Sequence, residues 1–156
     1  MKSDSPVTIH TTDQFSQGAF KPHGKWRFWA EGEVIYSVAS GPFNIEFVKA
    51  LGSALKEIWA THPFARPPVY VVQIEHSIMA SQDMLAAYKT LHENIPPDRI
   101  SPAVAFVVDR EVEGREFVLP LFEKVYTDLN RSFRSFDNMP EAEAWARACL
   151  KDAAGA

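Results

Sequence analysis

The chain has little cysteine and little glycine, and each shortage excludes a kind of site. Its 156 residues include one cysteine, Cys149, so an internal disulfide is impossible and no Cys–His cluster suggests zinc. The 7 glycines never form G-x-G-x-x-G or a P-loop, the Gly-rich loops that cradle nucleotide phosphates. The histidines lack the i, i+4 spacing of a helical metal site. We therefore expect neither a metal nor a cofactor.

Long apolar runs and an excess of positive charge are also missing. No stretch approaches the roughly 20 apolar residues that cross a bilayer, and the N-terminal segment lacks the apolar centre of a secretory signal. Acidic residues outnumber basic ones by 20 to 16, a net charge of −4, whereas nucleic-acid binding favours a basic face. We expect a cytoplasmic protein that binds neither nucleic acid nor membrane.

What is present is the composition of a globular domain. Hydrophobic residues make up 46% of the chain and charged residues 23%, and this length suits one hydrophobic core. Residues 1–20 are polar and without periodicity, which predicts a loosely ordered N-terminal arm with a short extended piece near Val7–His10. Residues 21–156 are predicted to form a single domain.

Strands and helices alternate along that domain. Branched and aromatic runs predict five strands, at Trp26–Ala30, Val34–Ala39, Val69–Ile74, Ala103–Asp109 and Phe133–Phe136. Apolar residues at spacings of three and four predict helices, within residues 45–61, 81–95, 116–129 and after Asn138. Suitable helix caps are Asn44 or Ser40 for the first helix, Ser81 for the second, and Asn138 or its neighbour for the last. Pro120 is expected within about the first turn of its helix.

The order β-β-α-β-α-β-α-β-α predicts an α/β fold with a mixed, mostly parallel sheet. If each strand is added on the same side, the crossover helices cover one face of the sheet. Both faces of Val69–Ile74 are apolar, so the second face must also be covered. The N-terminal arm, the last helix and a second copy in a homodimer are the alternatives.

Two segments resemble a known family. The ending "FRSFDNMPEAEAWA", with Trp145 in its aromatic position, and the core run "AVAFVVD" resemble the SpoIIAA-like branch of the STAS family, the sulfate-transporter and anti-sigma-factor-antagonist domain. The resemblance extends over about Trp26 to Asp152. It implies a SpoIIAA-like/STAS fold and a non-enzymatic regulatory role through contact with a protein partner, a regulator or a kinase.

The resemblance also implies a phospho-switch. In the switched members a serine or threonine near the start of the helix after the central strand accepts phosphate, a place that Ser77 or Ser81 would hold here. Ser81 is favoured because it is also a suitable helix cap. The Asp–Ser–Ser/Thr–Gly run of those members is replaced by "MASQDM", which lacks the aspartate before the serine and the glycine after it.

Ligands of open α/β sheets collect beyond the carboxyl ends of the strands. We therefore predict a partner or ligand surface there, formed by Glu75, His76, Ser77, Ser81, Asp83, Asp109 and Arg110 and continuing through the loop to Glu116, with Ser40, Gly41 and Asp137 nearby. The G-x-S-x-G elbow is absent, and in "EHS" serine and histidine are sequence neighbours. No catalytic residue is predicted, and we expect a protein that is not an enzyme.

An alternative function follows from an aromatic-rich half of the chain, formed by Trp26, Phe28, Trp29, Phe47 and Trp59. Some SpoIIAA-like domains resemble lipid-binding CRAL-TRIO folds. The alternative prediction is therefore a binding or carrier module for a small apolar or lipid-like ligand, held in a cavity under these rings.

Overall fold

The computed structural model describes residues 7–15 and 24–155. Within those residues the fold is α/β, with a six-stranded mixed sheet and four α-helices. The strands are β1 His10–Thr11, β2 Lys25–Glu31, β3 Val34–Ser40, β4 Val69–Glu75, β5 Val104–Val108 and β6 Phe133–Phe136. The helices are α1 Ile45–Thr61, α2 Gln82–Glu93, α3 Arg115–Asp128 and α4 Met139–Ala154.

The strands lie in the sheet in the order of the sequence. The pairs β1–β2 and β2–β3 are antiparallel, and β3 to β6 are parallel neighbours. Tyr70 of β4 pairs with Val104 of β5, which pairs with Phe133 of β6. The carboxyl ends of β3 to β6 therefore meet at one edge of the sheet, as predicted, and their amino ends at the opposite edge.

The prediction of five strands was incomplete. β1 pairs His10 with Phe28 and Thr11 with Arg27 at the edge of the sheet. A strand of two polar residues has no periodicity of its own, so its pairing depends on β2. The rest of the predicted arm, residues 1–6 and 16–20, and the domain boundary at residue 21 lie outside the described residues.

α4 covers the second face of the sheet, one of the three alternatives left by the sequence. α1, α2 and α3 pack on the first face around Phe28, Phe47 and Phe106. On the opposite face, the small residues Ala142 and Ala146 are fully buried in a cluster of β3, β4, β5 and α4 side chains. Small side chains allow the helix to approach the strands closely, so α4 completes a three-layer arrangement.

α4 is also joined to the sheet by polar contacts. The Tyr36 hydroxyl donates to Glu143 Oε1 at 2.8 Å, and Arg147 Nη2 donates to the Tyr36 oxygen at 2.8 Å. The Trp145 ring packs on Phe136 of β6 with its centroid 5.7 Å away. These contacts hold the last helix over the middle of the sheet.

The helix starts follow the predicted capping. Asn44, Ser81 and Asn138 each accept a hydrogen bond from the amide three residues later, satisfying a donor that the helix leaves free. The placement of Pro120 was wrong, because it is the sixth residue of α3. Pro120 and Glu116, four residues earlier, are both exposed. The carbonyl that loses its amide donor therefore lies on the solvent side of the helix.

No helix within residues 7–15 and 24–155 combines the length and the apolar character needed to cross a membrane.

Candidate functional site

The loops after β3, β4 and β5 are tied together by backbone hydrogen bonds at the carboxyl edge. The Gly41 amide donates to the Ser77 carbonyl at 2.9 Å, and the Glu113 amide donates to the His76 carbonyl at 3.0 Å. The Ile78 amide also donates to the Glu113 carbonyl at 2.9 Å. The predicted surface is thus assembled around Glu75 to Ser77, with exposed Asp109 and Arg110 on the next loop.

His76 pairs with Ser40, which was predicted to lie near this surface but not as a partner of the histidine. Its φ of 64° is in the left-handed region, where few residues other than glycine are found. Its Nδ1 atom lies 3.0 Å from Ser40 Oγ on the neighbouring strand end. No carboxylate of the described residues bonds the ring, so the pair lacks the third group that orients a catalytic histidine.

Ser77 is buried and has both hydrogen-bonding functions in use. It is 5% exposed, donates to Glu113 Oε1 at 3.0 Å and accepts from the Met79 amide at 3.1 Å. A phosphate on this oxygen would stand beside the Glu113 carboxylate and lose both bonds. Ser77 is therefore a poor phosphate acceptor.

Ser81 is exposed at the start of α2, where its oxygen accepts from the Met84 amide at 3.1 Å. Asp83, two residues later in the first turn of α2, is also exposed. In the described part of the chain, neither side chain bonds to the other predicted site residues. The segment just before Ser81 is joined to the loop after β3, because the Phe43 amide donates to the Met79 carbonyl at 2.8 Å. Ser81 and Asp83 therefore lie at the border of the carboxyl edge.

Arg115 is a residue of this edge that the prediction did not single out. Its Nε donates to the Val108 carbonyl at 3.1 Å and its Nη2 to Asp137 Oδ1 at 3.0 Å. It therefore joins the ends of β5 and β6. Its position in the charged segment after β5 could have indicated a role at this edge, but its partners Val108 and Asp137 are known only from the fold.

A cavity lies at the opposite edge of the sheet. Its volume is about 70 Å³, and an open groove of about 1040 Å³ runs between α1 and α2 above it. The two share the wall residues Leu55, Tyr70, Ile95 and Arg99, so the groove leads to the cavity. The wall is formed by the starts of β4 and β5 and the loop before β5, together with Trp26, Leu51 and Val72.

The floor of the cavity is a closed circuit of hydrogen bonds. His92 Nδ1 lies 2.9 Å from the Tyr88 carbonyl oxygen, which can only accept, so Nδ1 carries the proton and Nε2 accepts. Tyr126 Oη, 3.3 Å from that Nε2, therefore donates to it. Tyr88 Oη, 2.5 Å from Tyr126 Oη, donates in turn to Tyr126. Each proton of the three side chains is committed within the circuit.

Burial keeps this floor uncharged. It lowers the pKa of His92 to about 4 and raises the pKa of Tyr88 and of Tyr126 far above neutrality, because a low-dielectric site disfavours the charged forms. Burial also raises the pKa of Tyr70 in the cavity wall. At pH 7 the floor is two phenols and a neutral imidazole.

Ser37 is a polar side chain of this wall without a hydrogen-bond partner among the described residues. It is 3% exposed, lines the cavity, and its hydroxyl makes no hydrogen bond with any part of the chain that the structure describes. Buried hydroxyls are nearly always paired. The cavity therefore offers an unused donor and acceptor within an apolar wall.

Most residues of the cavity were not predicted from the sequence. Of the aromatic residues that it singled out, Trp26 lines the cavity and Trp59 the groove, whereas Trp29 stacks on Tyr36 on the second face. Tyr88 and His92 are four residues apart in α2, a spacing that places them on one helix face. That spacing could have predicted that Tyr88 and His92 lie side by side, but nothing in the sequence predicted that Tyr126 of α3 contacts them.

The chain matches no family model, no curated protein and no solved structure. Among the described residues, no group of three or more His, Cys, Asp and Glu side chains could hold a metal ion.

Proposed function

We propose that this protein is a non-enzymatic binding module that holds a small, mostly apolar molecule in the cavity below the α1–α2 groove. The observation that carries the proposal is the unpaired Ser37 hydroxyl, buried in a wall that is otherwise largely apolar. Ligand sites in proteins usually combine apolar walls with a few polar groups that orient the ligand.

The size of the cavity sets the scale of the ligand. One water needs about 15 Å³ on this measure, and a cavity that binds benzene has about 150 Å³, so about 70 Å³ accommodates several waters or a small apolar part of a ligand. The remainder of a larger ligand would lie in the groove. The uncharged floor supports binding over catalysis, because its phenols and imidazole have pKa values shifted away from those of acids and bases that work near neutrality.

The proposal is tested by titrating the protein with 2-naphthol and measuring the binding by calorimetry. Saturable one-to-one binding is expected in the parent. Leu55→Trp, which fills the shared wall of groove and cavity, should abolish it. The matched control is Ala60→Trp, an exposed position of the same helix outside the groove, which should bind like the parent. Equal binding by both variants, or none by the parent, would refute the proposal.

A second candidate is the regulatory role implied by the likeness to SpoIIAA-like STAS domains. The exposure of Ser81 supports it, because a kinase can reach that hydroxyl and the helix start tolerates the added charge. In this role a protein partner would contact Glu75 to Asp83 and the loop from Asp109 to Glu116. Incubation with a kinase-bearing extract should place phosphate on Ser81, and mass spectrometry showing none there would contradict it.

A further inference from the structure

The charged side chains around the cavity are mainly positive, whereas the whole protein is negatively charged. The chain carries a net charge of −4, yet among the described residues the formally charged side chains that line the cavity are Arg99 and Arg131. The groove adds Lys49 and Lys56 against one acid, Asp83. The entrance to the cavity is thus locally cationic.

Neither arginine has a carboxylate partner in the part of the chain that the structure describes. The Arg99 guanidinium lies over the Trp59 ring, 5.1 Å from its centroid. Arg131 Nη2 donates to the His92 carbonyl at 3.4 Å, close to the limit of a hydrogen bond. A guanidinium has five N–H donors, so most of the donors of both side chains are free.

The polar groups of the wall are mainly unused donors. The circuit of Tyr88, Tyr126 and His92 consumes its own protons. Ser37, Arg99 and Arg131 can each donate to a further group, and no carboxylate from the described chain lines the cavity. A ligand that complements this wall must supply acceptors and negative charge.

We propose that the ligand is an apolar carboxylic acid, bound as the carboxylate, with its apolar body in the cavity and the adjoining groove and its carboxylate at Arg99 and Arg131. This inference rests on the proposed binding function and specifies its ligand class. Arg99 is exposed and shared by cavity and groove. The charged end therefore stays partly hydrated at the entrance, which avoids the large cost of burying an ion.

The test compares 2-naphthoate with its uncharged methyl ester, which has the same ring system. The carboxylate should bind the parent at least 10-fold more tightly, because hydrogen bonds to charged groups contribute about 1.5–3 kcal/mol. Arg99→Gln and Arg131→Gln should each weaken naphthoate binding about 10-fold and leave the ester unchanged. Arg110→Gln, at the carboxyl edge, is the matched control and should bind both compounds like the parent.

The outcomes separate the two proposals. If acid and ester bind equally and both arginine variants behave like the parent, the anionic ligand class is wrong and the binding function stands. If the parent binds neither compound nor 2-naphthol at millimolar concentration, both proposals fail. Arg99→Gln keeps the test valid even if Arg131→Gln does not fold, because the exposed Arg99 side chain makes no hydrogen bond to the described chain and the loss of its contact with Trp59 should lower stability by no more than about 1 kcal/mol.

Discussion

The two edges of the parallel sheet are built in opposite ways. At the carboxyl edge, backbone bonds such as those of Gly41 and Glu113 close three loops on one another, and charged side chains face solvent. At the amino edge, α1 and α2 leave a groove, and beneath it lies a cavity with an uncharged floor. The usual location of a ligand in such folds is beyond the carboxyl ends of the strands, and here three loops that bond to one another lie at that edge.

The two edges also differ in what their polar contacts contribute to stability. The Arg115–Asp137 ion pair is 3.0 Å long with the aspartate 58% exposed, and exposed pairs contribute under about 1 kcal/mol. In the buried circuit of Tyr88, Tyr126 and His92, removing one partner leaves the others without a bond in a dry site, at a cost of about 1–3 kcal/mol. Substitutions of polar side chains should therefore destabilise the protein more at the amino edge than at the carboxyl edge.

The largest effect is expected at the carboxyl edge from Gly41→Ala. A Cβ on Gly41 would lie 2.6 Å from the Ser77 carbonyl oxygen, so the loops must separate and the Gly41–Ser77 bond is lost. Overpacking and the lost bond together should lower the free energy of unfolding by about 3 kcal/mol, measured by urea denaturation.

The matched control for that substitution is Gly52→Ala in the groove at the other edge. Its Cβ would lie 3.2 Å from Leu91 Cδ1, the end of a flexible side chain, and alanine favours the helix by about 1 kcal/mol. Its net change should be below about 1 kcal/mol. Equal losses for the two glycines would contradict the difference in closure between the edges.

The next effect is the pH dependence at the amino edge. The pKa of His92 is 6.5 in its ordinary state and about 4 when buried in the fold, so between these values the unfolded chain binds more protons than the folded protein. Stability should therefore fall as the pH drops from about 7 to 4. Because His92 keeps some accessible area, the loss should stay below about 3 kcal/mol.

His92→Gln should remove this component. The acidic groups that titrate below about pH 5 are common to both proteins, so the quantity to compare is the difference between the two curves of unfolding free energy against pH. Parallel curves from pH 7 to 4 would mean that His92 is not held neutral by the fold.

Within the floor of the cavity, Tyr126→Phe should destabilise more than Tyr88→Phe. Loss of the Tyr126 hydroxyl leaves both the Tyr88 proton and His92 Nε2 without a partner, at about 1–3 kcal/mol. Loss of the Tyr88 hydroxyl leaves the Tyr126–His92 bond intact and should cost about 1 kcal/mol. The reverse order in thermal unfolding would show that the protons are arranged in the other direction.

The smallest effect is expected at the border of the carboxyl edge. Ser81→Ala removes the cap of α2 and should cost about 1 kcal/mol in urea denaturation. Ser81→Asp should stay near the parent, because a carboxylate also accepts from the Met84 amide and suits the helix start. A parent-like Ser81→Ala would mean that the cap contributes nothing measurable.

Much of the fold could be predicted because its signals are local. The hairpin of β2 and β3 is marked by aromatic and branched residues around a glycine turn, and the caps Asn44, Ser81 and Asn138 stand where helical periodicity begins. The adjacency of β4 and β5 followed from the alternation of strands and helices. The hairpin and the caps depend on neighbours within about ten residues, and the strand adjacency depends on the order of elements, both of which a single sequence displays.

The candidate sites were harder to predict from the sequence. His76 bonds to Ser40 and not to the adjacent Ser77, because its left-handed backbone turns the ring towards the end of β3. Ser77, by contrast, is buried against Glu113. The carboxyl edge was predicted as a group of residues, but the contacts within it depend on how three loops close.

The sequence by itself determined the order, type and approximate ends of the main helices and strands, since hydrophobic spacing and capping act over short distances along the chain. Only the tertiary structure decided that α4 covers the second face, that the cavity lies at the amino edge, and that Tyr126 completes a circuit with Tyr88 and His92. Each of these features joins residues from separate helices and strands. How those elements pack depends on shape and burial over the whole domain, and no single segment shows it as a pattern of residue spacing.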